Sequence, residues 1–295
     1  MLLMLLMRGS EPASWVKGWV RRQVSALGGC CLASVSVSSH GASEAYRRNQ
    51  IRACQEAGIL VRPVDVAPSL GILGLIETIR ELNGDREVDG IIVQTPLPEG
   101  WDLSEVLQAM DPAKDAEGVH PENLGKLFLG VKGHPLPCAA WAAVGLLEWY
   151  GLWDLSGMVC AVVGHSVNVG RPIGALLLQR NGTVLQMHKH TPRDVLEELV
   201  SSSQVVISAT GVPGLIGPGM VRPGAWVVDV GTTPTERGLV GDVDPQCASV
   251  AHGLSPVPGG VGPLTVALLM ANLVLLASKR RNGRPVELES VRQEA

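Results

Sequence analysis

The sequence predicts two α/β units, the second doubly wound around a Rossmann-type parallel sheet. Three observations carry this. Short apolar strand-like runs alternate with helix-like segments through the first half, the pattern of a parallel sheet with crossover helices. A second series of strands starts after a long apolar helix at 137–151 and repeats the alternation. The 35 Gly and 20 Pro residues fall mostly downstream of residue 95, in short runs between apolar stretches, as tight connecting loops do.

The elements follow in order. "CLASVSV" (31–37) reads as a strand. "SEAYRRNQIRACQEAGI" (43–59) reads as a helix that Ser43 can cap and Gly58 can end. Tyr46 and Gln50 stand four residues apart on it and so share one face. "LVRPVDV" (60–66) is a strand interrupted by Pro63, and "LGILGLIETIRELNG" (70–84) is a helix that stops at Gly84. "DGIIVQTPLP" (89–98) is a buried strand that ends at proline and carries Gln94 at its C-terminal end. A Gln there either bonds to neighbouring loops or faces a cleft. "LSEVLQAM" (103–110) is a helix, and "PCAAWAAVGLLEWYG" (137–151) a long apolar one.

In the second unit the expected strands are 157–164, 183–188, 204–210, 225–231 and 248–253. A last helix over 264–280 is expected to return to the first domain, and 281–295 reads as a loose polar tail or linker stub. The expected domains are thus 1–138 completed by 264–280, and 139–263. At the other end, "MLLMLLMRGS" (1–10) reads as processing or splice-derived sequence with little fold information. Over 15–27, Trp15, Val16, Trp19, Val20 and Val24 share a helical side opposite Lys17, Arg21 and Arg22. An ordinary first helix is the favoured reading, and a basic mitochondrial presequence is the alternative.

With 46% hydrophobic and 18% charged residues in 295, a packed core is expected. The net charge of −4 gives no global basic field, so nucleic acid is excluded as a partner. The six cysteines show no C-x-x-C spacing and read as reduced, buried thiols of an intracellular protein. No metal site is expected. "LTVALLMANLVLLA" (264–277) is too short to span a membrane and contains Asn272, so it reads as a buried helix.

Several stretches carry chemistry. "VVGHSVNVGRPIGALLLQR" follows a strand and opens a helix, with Gly164 and Gly170 where the backbone turns and approaches a ligand, and Pro172 in the first helical turn. The spacing G-x-S-x-x-x-G is by itself a weak dinucleotide signal. "ISATGVPG", with Thr210 and Gly211, and "VVDVGTTP", with Thr232, each end a strand in a glycine turn, where doubly wound sheets bind ligands. "HKHT" (188–191) follows the second strand of this unit, where a cofactor's ribose phosphate would come; it reads equally as a solvated basic loop. "SPVPGGVGPLTVALLM" presents Pro258, Gly259 and Gly260 just before an apolar helix, a loop whose main chain can lie against a flat ligand. Glu117 stands in the acidic loop "DPAKDAEGVHPENLGKL".

Taken together, "VQTPLP", "DPAKDAEGVHPENLGKL", "PC" at 137–138, "VVGHSVNVGRP", "SATGVP", "GDVD" and "PVPGGVGPLTVALLM" resemble the methylenetetrahydrofolate dehydrogenase/cyclohydrolase family in content and order, from about Val20 to Arg280. The resemblance implies two domains with a cleft between them, the first for tetrahydrofolate derivatives and the second for NAD or NADP. It implies hydride transfer from methylene-tetrahydrofolate, then hydrolysis of the methenyl product, in a homodimer.

It also implies site roles. The family helix reads S-x-x-Y-x-x-x-K; Ser43 and Tyr46 match, and the acid–base Lys is Gln50, which cannot ionise near neutral pH. Gln94 matches the residue that holds that Lys, and Tyr46 would pack near the pterin. Glu117 stands where the family has a pterin-binding Asp. "PCTP" becomes "PCAA", and "GIN" becomes "GTT" at 231–233. "GRS" becomes "GHS", so His165, beside Ser166, replaces an arginine that would pair with an NADP phosphate. Lys189 remains a cofactor-phosphate candidate.

The expectation is a folate domain with impaired or lost chemistry and doubtful cofactor binding, closest to a degenerate member placed ahead of a synthetase. In that case the chain would be a fragment or short isoform. An active NAD(P)-dependent dehydrogenase with weak or no cyclohydrolase activity is the alternative; an unrelated Rossmann-type oxidoreductase is a third. The expected location is mitochondrial, with the cytoplasm as the alternative.

Overall fold

The computed structural model describes residues 4–37, 41–236, 238–288 and 291; the side chains of 41–46 are outside the description. In chain order the elements are β1 (Leu5–Leu6), α1 (Ser10–Ala26), β2 (Cys30–Ser36), α2 (Gly41–Glu56), β3 (Ile59–Asp65), α3 (Gly71–Gly84), β4 (Gly90–Val93), α4 (Leu103–Ala109), α5 (Pro121–Phe128) and α6 (Cys138–Trp149). Then come β5 (Val159–Val163), α7 (Gly170–Leu178), β6 (Thr183–Met187), α8 (Arg193–Ser202), β7 (Val205–Ser208), β8 (Trp226–Asp229), β9 (Thr233–Thr235), β10 (Gly238–Val240), β11 (Gly253–Leu254) and α9 (Val261–Asn282).

The chain forms two compact units. One comprises Trp15–Leu136 and Val266–Leu288. Its parallel sheet has the order β3-β2-β4. Central β2 is buried along its whole length, whereas β3 alternates between buried and exposed residues. Pro63 is tolerated because β3 is an edge strand, where a missing N–H costs no ladder bond. Leu75, Ile76, Ile79 and Leu82 of α3 form a stripe at helical spacing and pack into the core with Val35, Ile91 and Val93.

Buried polar groups tie the separate segments of this unit together. Asp89 is fully buried and accepts from Cys31 N (2.8 Å) and Arg281 Nη2 (2.6 Å), and also from Arg280 Nη2. Arg281 reaches the carbonyls of Leu27 and Gly29 as well, both at 2.8 Å. Buried Asn272 of α9 donates to Ala116 O (3.0 Å) and Leu136 O (2.8 Å) and accepts from Leu136 N (3.1 Å). α9 has 22 residues, more than the 264–277 run suggested, and is long and apolar enough to cross a membrane. Its apolar window is 78% buried, which suits a core helix.

The other unit comprises Pro137–Thr265 with the described residues of Met1–Ser14 and Glu289–Ala295. Its six strands run parallel in the order β1-β11-β8-β7-β5-β6. Counted from β5, the first five strands of this unit have the 2-1-3-4-5 arrangement of doubly wound sheets, with the direction reversing between β5 and β7. Ala161, Val163, Val206, Ile207 and Val227 are buried. An antiparallel hairpin of β9 and β10 stands apart from this sheet.

The structure corrects several boundaries. Residues 5–7 belong to the fold: β1 extends the sheet beside β11, and Met7 is fully buried. An apolar run beside an open sheet edge gains both ladder bonds and burial there. The segment up to Ser14 accordingly belongs to the unit opposite to the one expected. Over 245–249 a 3-10 turn capped by Asp244 and opened by Pro245 replaces the first part of the strand expected at 248–253; β11 begins only at Gly253. The described residues after 280 are held in place rather than loose. Val286 N bonds Ser278 Oγ at 2.8 Å, and fully buried Val291 bonds Glu148 Oε2 at 3.3 Å. Arg180 occupies the other oxygen of buried Glu148 at 2.6 Å, so the chain end satisfies a carboxylate that needs partners.

The Asp89 cluster makes a stability prediction. Asp89→Ala leaves two arginines facing a vacated buried site and is expected to lower unfolding stability by about 3–5 kcal/mol. Urea denaturation measures it; a loss below about 1 kcal/mol would show that the cluster contributes little.

Candidate functional site

In the Trp15–Leu136 unit, the candidate residues gather at the C-terminal ends of β2 and β4, against α2. Gln94 follows β4, and its main-chain N–H bonds Val35 O at 2.8 Å. Its side-chain Nε2 donates to Gln50 Oε1 at 2.9 Å and to Ser34 Oγ at 3.2 Å. Gln50 is only 2% exposed and Ser34 fully buried. The pair predicted from sequence is thus in direct contact, and neither member can gain or lose a proton near neutrality. Tyr46 lies on α2, but its side chain is outside the described residues.

Arg47 was not anticipated. It lies three residues before Gln50, and its guanidinium spans the strand ends: Nη1 reaches Ser36 Oγ (2.7 Å) and Asp65 Oδ1 (2.6 Å), Nη2 reaches Ser34 O (3.0 Å), and Nε reaches Ser34 Oγ (3.3 Å). Ser34 Oγ therefore joins a charged group, Asp65–Arg47, to a neutral one, Gln94–Gln50. The Ser36 hydroxyl and then Arg47 hold the Asp65 carboxyl below its ordinary range. The i, i+3 spacing from Gln50 was the available signal; the neighbouring Arg48 is exposed.

Glu117 and Asp115 share the loop before α5 but differ in role. Asp115 is buried and saturated by Gly118 N (2.9 Å), His120 N (2.8 Å) and Asn123 Nδ2 (2.9 Å), so it shapes the loop. Glu117 receives no hydrogen bond from the described residues. Burial, with the Asp115 charge adding to it, pushes its carboxyl up to about 7. Lys114 is buried too, spending its ammonium on Leu82 O (2.7 Å) and Asp85 O (2.5 Å), an anchor for the end of α3.

In the Rossmann unit, Gly164 and Gly170 are required by space. A Cβ on Gly164, at φ 118°, would lie 2.3 Å from Ala209 O, and one on Gly170 would lie 2.1 Å from Gly164 O. This close turn opens α7, where Ser166 Oγ accepts from Gly170 N at 3.3 Å. A helix N-terminus behind a tight glycine turn fits a pyrophosphate. His165 follows the turn, half-buried, and its ring lies 4.9 Å from that of His188, which follows β6. Lys189 is exposed beside it.

Thr210 follows β7 and is fixed by Asp242, whose Oδ2 accepts from Thr210 N (2.6 Å), Thr210 Oγ1 (2.9 Å) and Ser208 Oγ (2.9 Å). Asp229 in turn accepts from Asp242 N (3.0 Å), Val243 N (2.9 Å) and Gly231 N (3.1 Å). Burial pushes the Asp229 carboxyl up to about 6. These two aspartates were missed as organisers of the strand ends, although "GDVD" was visible. Gly211 adopts φ 71° and accepts from Thr233 Oγ1 (3.1 Å), while Thr232 is exposed. Pro258 and Gly259 are exposed; Gly260 is buried, its N–H bonded to Pro256 O at 2.8 Å. These three residues belong to the Rossmann unit, whereas Gln50, Gln94 and Glu117 belong to the other. A hollow of ≈ 710 Å³ lined by Met4, Leu6, Asp229, Asp244, Ser255 and Val257 includes none of the predicted cofactor residues.

Among the described residues no group of three or more His, Cys, Asp or Glu side chains could hold a metal ion. No disulfide joins the six cysteines, all of which are buried; burial pushes Cys54 up to about 12 and Cys160 to about 11, which keeps both thiols protonated and unreactive.

Comparison with known proteins agrees with this geometry. Residues 7–117 match the catalytic domain of tetrahydrofolate dehydrogenase/cyclohydrolase, and residues 137–281 match its NAD(P)-binding domain. The bifunctional methylenetetrahydrofolate dehydrogenase/cyclohydrolase of Campylobacter jejuni is 34% identical, with a TM-score of 0.90 over 94% of this chain and 99% of that one. A 5,10-methylenetetrahydrofolate dehydrogenase of the silkworm Bombyx mori is 34% identical, with a TM-score of 0.86 over 95% and 99%. The Trypanosoma brucei dehydrogenase-cyclohydrolase, solved with NADP and an inhibitor, is 30% identical, with a TM-score of 0.89 over 95% and 99%.

Glu117 sets a pH dependence. Its folded value of about 7 lies above the ordinary 4.5, so the folded state binds this proton more tightly than the unfolded chain does. Its contribution to stability is complete below about pH 4.5 and is lost as pH rises to about 7. Urea midpoints should therefore fall more over that window for the native protein than for Glu117→Gln. Parallel profiles would show a solvated carboxyl.

Proposed function

We propose that this chain, which belongs to the tetrahydrofolate dehydrogenase/cyclohydrolase family, is a folate-domain protein without cyclohydrolase activity and with impaired or absent dehydrogenase activity. The observation that carries this is the Gln94–Gln50 bond of 2.9 Å, made to a Gln50 that is 2% exposed. Hydrolysis of a methenyl bridge needs a group that gives and takes a proton beside the one-carbon unit. The resemblance puts that duty on position 50, where an amide now satisfies its neighbour and transfers nothing. Arg47 places positive charge one turn away, but a guanidinium stays protonated and cannot act as a base. Loss of such a group costs ~10²–10⁴ in rate.

A second reading, a dehydrogenase that has lost only the hydrolytic step, is favoured by the Gly164–Gly170 turn. Its geometry fits a dinucleotide, with the α7 N-terminus for the pyrophosphate and His165, Lys189 and Ser166 nearby for further phosphate contacts. When bound, NAD(P) would supply the hydride acceptor. Hydride transfer asks the protein for placement more than for an acid, so it can outlast hydrolysis. Glu117, with a carboxyl that changes charge near neutrality, would bind a pterin differently from the family's Asp.

The same proposal includes a likeness to the degenerate domain preceding the synthetase in mitochondrial monofunctional C1-tetrahydrofolate synthase. With it come a structural, homodimeric role and a mitochondrial location, the cytoplasm being the alternative.

The test is a paired assay of the native protein and Gln50→Lys, following methylene-tetrahydrofolate oxidation with NADP and NAD and methenyl hydrolysis separately. Silent hydrolysis restored by ~10² or more in Gln50→Lys is the expected result. Native hydrolysis at the rate of a working family member would overturn the proposal. Oxidation without hydrolysis would establish the second reading.

A further inference from the structure

The ≈ 710 Å³ hollow of the Rossmann unit contains none of the folate or dinucleotide candidates, and its size is that of a small-molecule pocket. Apolar side chains make most of its wall: Met4 and Leu6 from the β1 end, Leu254 of β11, Val243, and Ala248 of the 3-10 turn. Leu6 is 36% exposed, so this apolar surface is open to solvent.

Three polar side chains interrupt the wall: Asp229, Asp244 and Ser255. No Lys, Arg or His is among the described lining residues. Asp229 Oδ1 accepts from Gly231 N and Asp242 N, whereas Oδ2 accepts from Val243 N alone among the described residues. A carboxylate oxygen takes two donors, so Oδ2 has a place left. Gly241 lets that oxygen reach the wall, because a Cβ there would lie 1.9 Å from Oδ2 and 2.8 Å from Val257 Cγ2. Asp244 uses Oδ1 to cap Gln246 N (2.8 Å), and its Oδ2 receives no bond from the described residues. Ser255 Oγ is an acceptor too, from Asp229 N at 2.8 Å.

The groups around Asp229 are Asp242 and Asp244 from the loop after β10 and neutral Ser255 from the end of β11; none is a cation. Burial, with the Asp242 charge adding to it, pushes the Asp229 carboxyl up to about 6. Above that value the wall carries negative charge beside an apolar space, an arrangement that a cation with an apolar body complements.

We infer that this hollow binds a small apolar molecule bearing one ammonium group, its body against Leu6, Val243, Ala248 and Leu254 and its nitrogen on Asp229 Oδ2. An ammonium has three donors and no acceptor, which matches a wall whose open polar positions are acceptors. Apolar contact supplies affinity, and the charge-assisted bond selects against neutral molecules of the same shape. The site needs neither folate nor dinucleotide and is independent of the chemistry at position 50.

The experiment is calorimetric titration of the full chain with benzylamine, protonated near neutrality, and with benzyl alcohol, its neutral match in shape. At about pH 7.5 benzylamine is expected to bind with a dissociation constant below about 1 mM, about tenfold more tightly than the alcohol, the effect of one charge-assisted contact. At about pH 5, where Asp229 holds its proton, that preference should shrink severalfold. Ala248→Phe and, separately, Leu6→Trp fill the hollow, and each should abolish benzylamine binding. Unchanged thermal midpoints would confirm that these variants fold. Equal affinity for amine and alcohol overturns the inference, as does amine binding that both filling variants retain. No binding at about 10 mM overturns it as well. A doubled mass in solution that the filling variants return to that of one chain, with no amine bound, gives the hollow to a second copy and overturns it too.

Discussion

The buried carboxylate of Asp89 is the constraint on which the Trp15–Leu136 unit depends. It takes the Cys31 N–H at the start of β2 and two guanidinium groups from the end of α9, almost two hundred residues later in the chain. A carboxylate with no exposure is tolerable only when its oxygens are saturated by charge-assisted donors. Those donors come from a segment distant in sequence, so the unit is complete only once α9 has packed. Asn272, one face of the same helix, repeats the device by satisfying the main chain at 116 and 136. Two polar anchors in an otherwise apolar helix set its register, because a shift of one residue would leave them unpaired.

With the sheets fixed, both candidate sites arise at strand C-terminal ends. In one, β2 and β4 bring Ser34 and Gln94 together under α2, and the outcome is an amide pair fed by Arg47 through a shared hydroxyl. The network carries the charge of Arg47, and its two amides neither give nor take a proton near neutrality. In the other, Asp229 and Asp242 gather the loose main-chain N–H groups after β7 and β8, which lets the glycine turns keep their shape without large side chains. Asp242 keeps one oxygen, Oδ1, buried with no partner among the described residues. The supports beneath these sites are set by buried main-chain and carboxylate contacts, and a fold by itself does not fix the chemistry of the site it carries.

Much of this was legible in the chain. Alternating apolar runs located most of the strands and helices, since a strand buried between two helical layers must be apolar along its length. Gln50 and Gln94 were legible as a pair, and Gly164 and Gly170 as a close turn. Arg47 was not, because an arginine on an exposed-looking helix has many places to go, and only the positions of Ser34, Ser36 and Asp65 choose one. The β9–β10 hairpin escaped notice because short, polar, edge-like segments carry no periodic signal. Leu5 and Leu6 looked dispensable because two residues cannot show a pattern; their value lies in the open edge of β11.

The sequence by itself determined the alternation of elements, the glycine and proline turns, and the absence of an ionisable group at position 50. Those follow from local rules: periodicity, φ freedom and side-chain chemistry. Tertiary structure alone decided that residues 5–14 and Val291 join the Rossmann unit, that Asp89 is held by Arg280 and Arg281, and that three histidines meet at one sheet edge. The reason is physical. A buried polar group has to be satisfied from wherever a donor can reach it, and strand order rather than chain distance decides which residues arrive side by side.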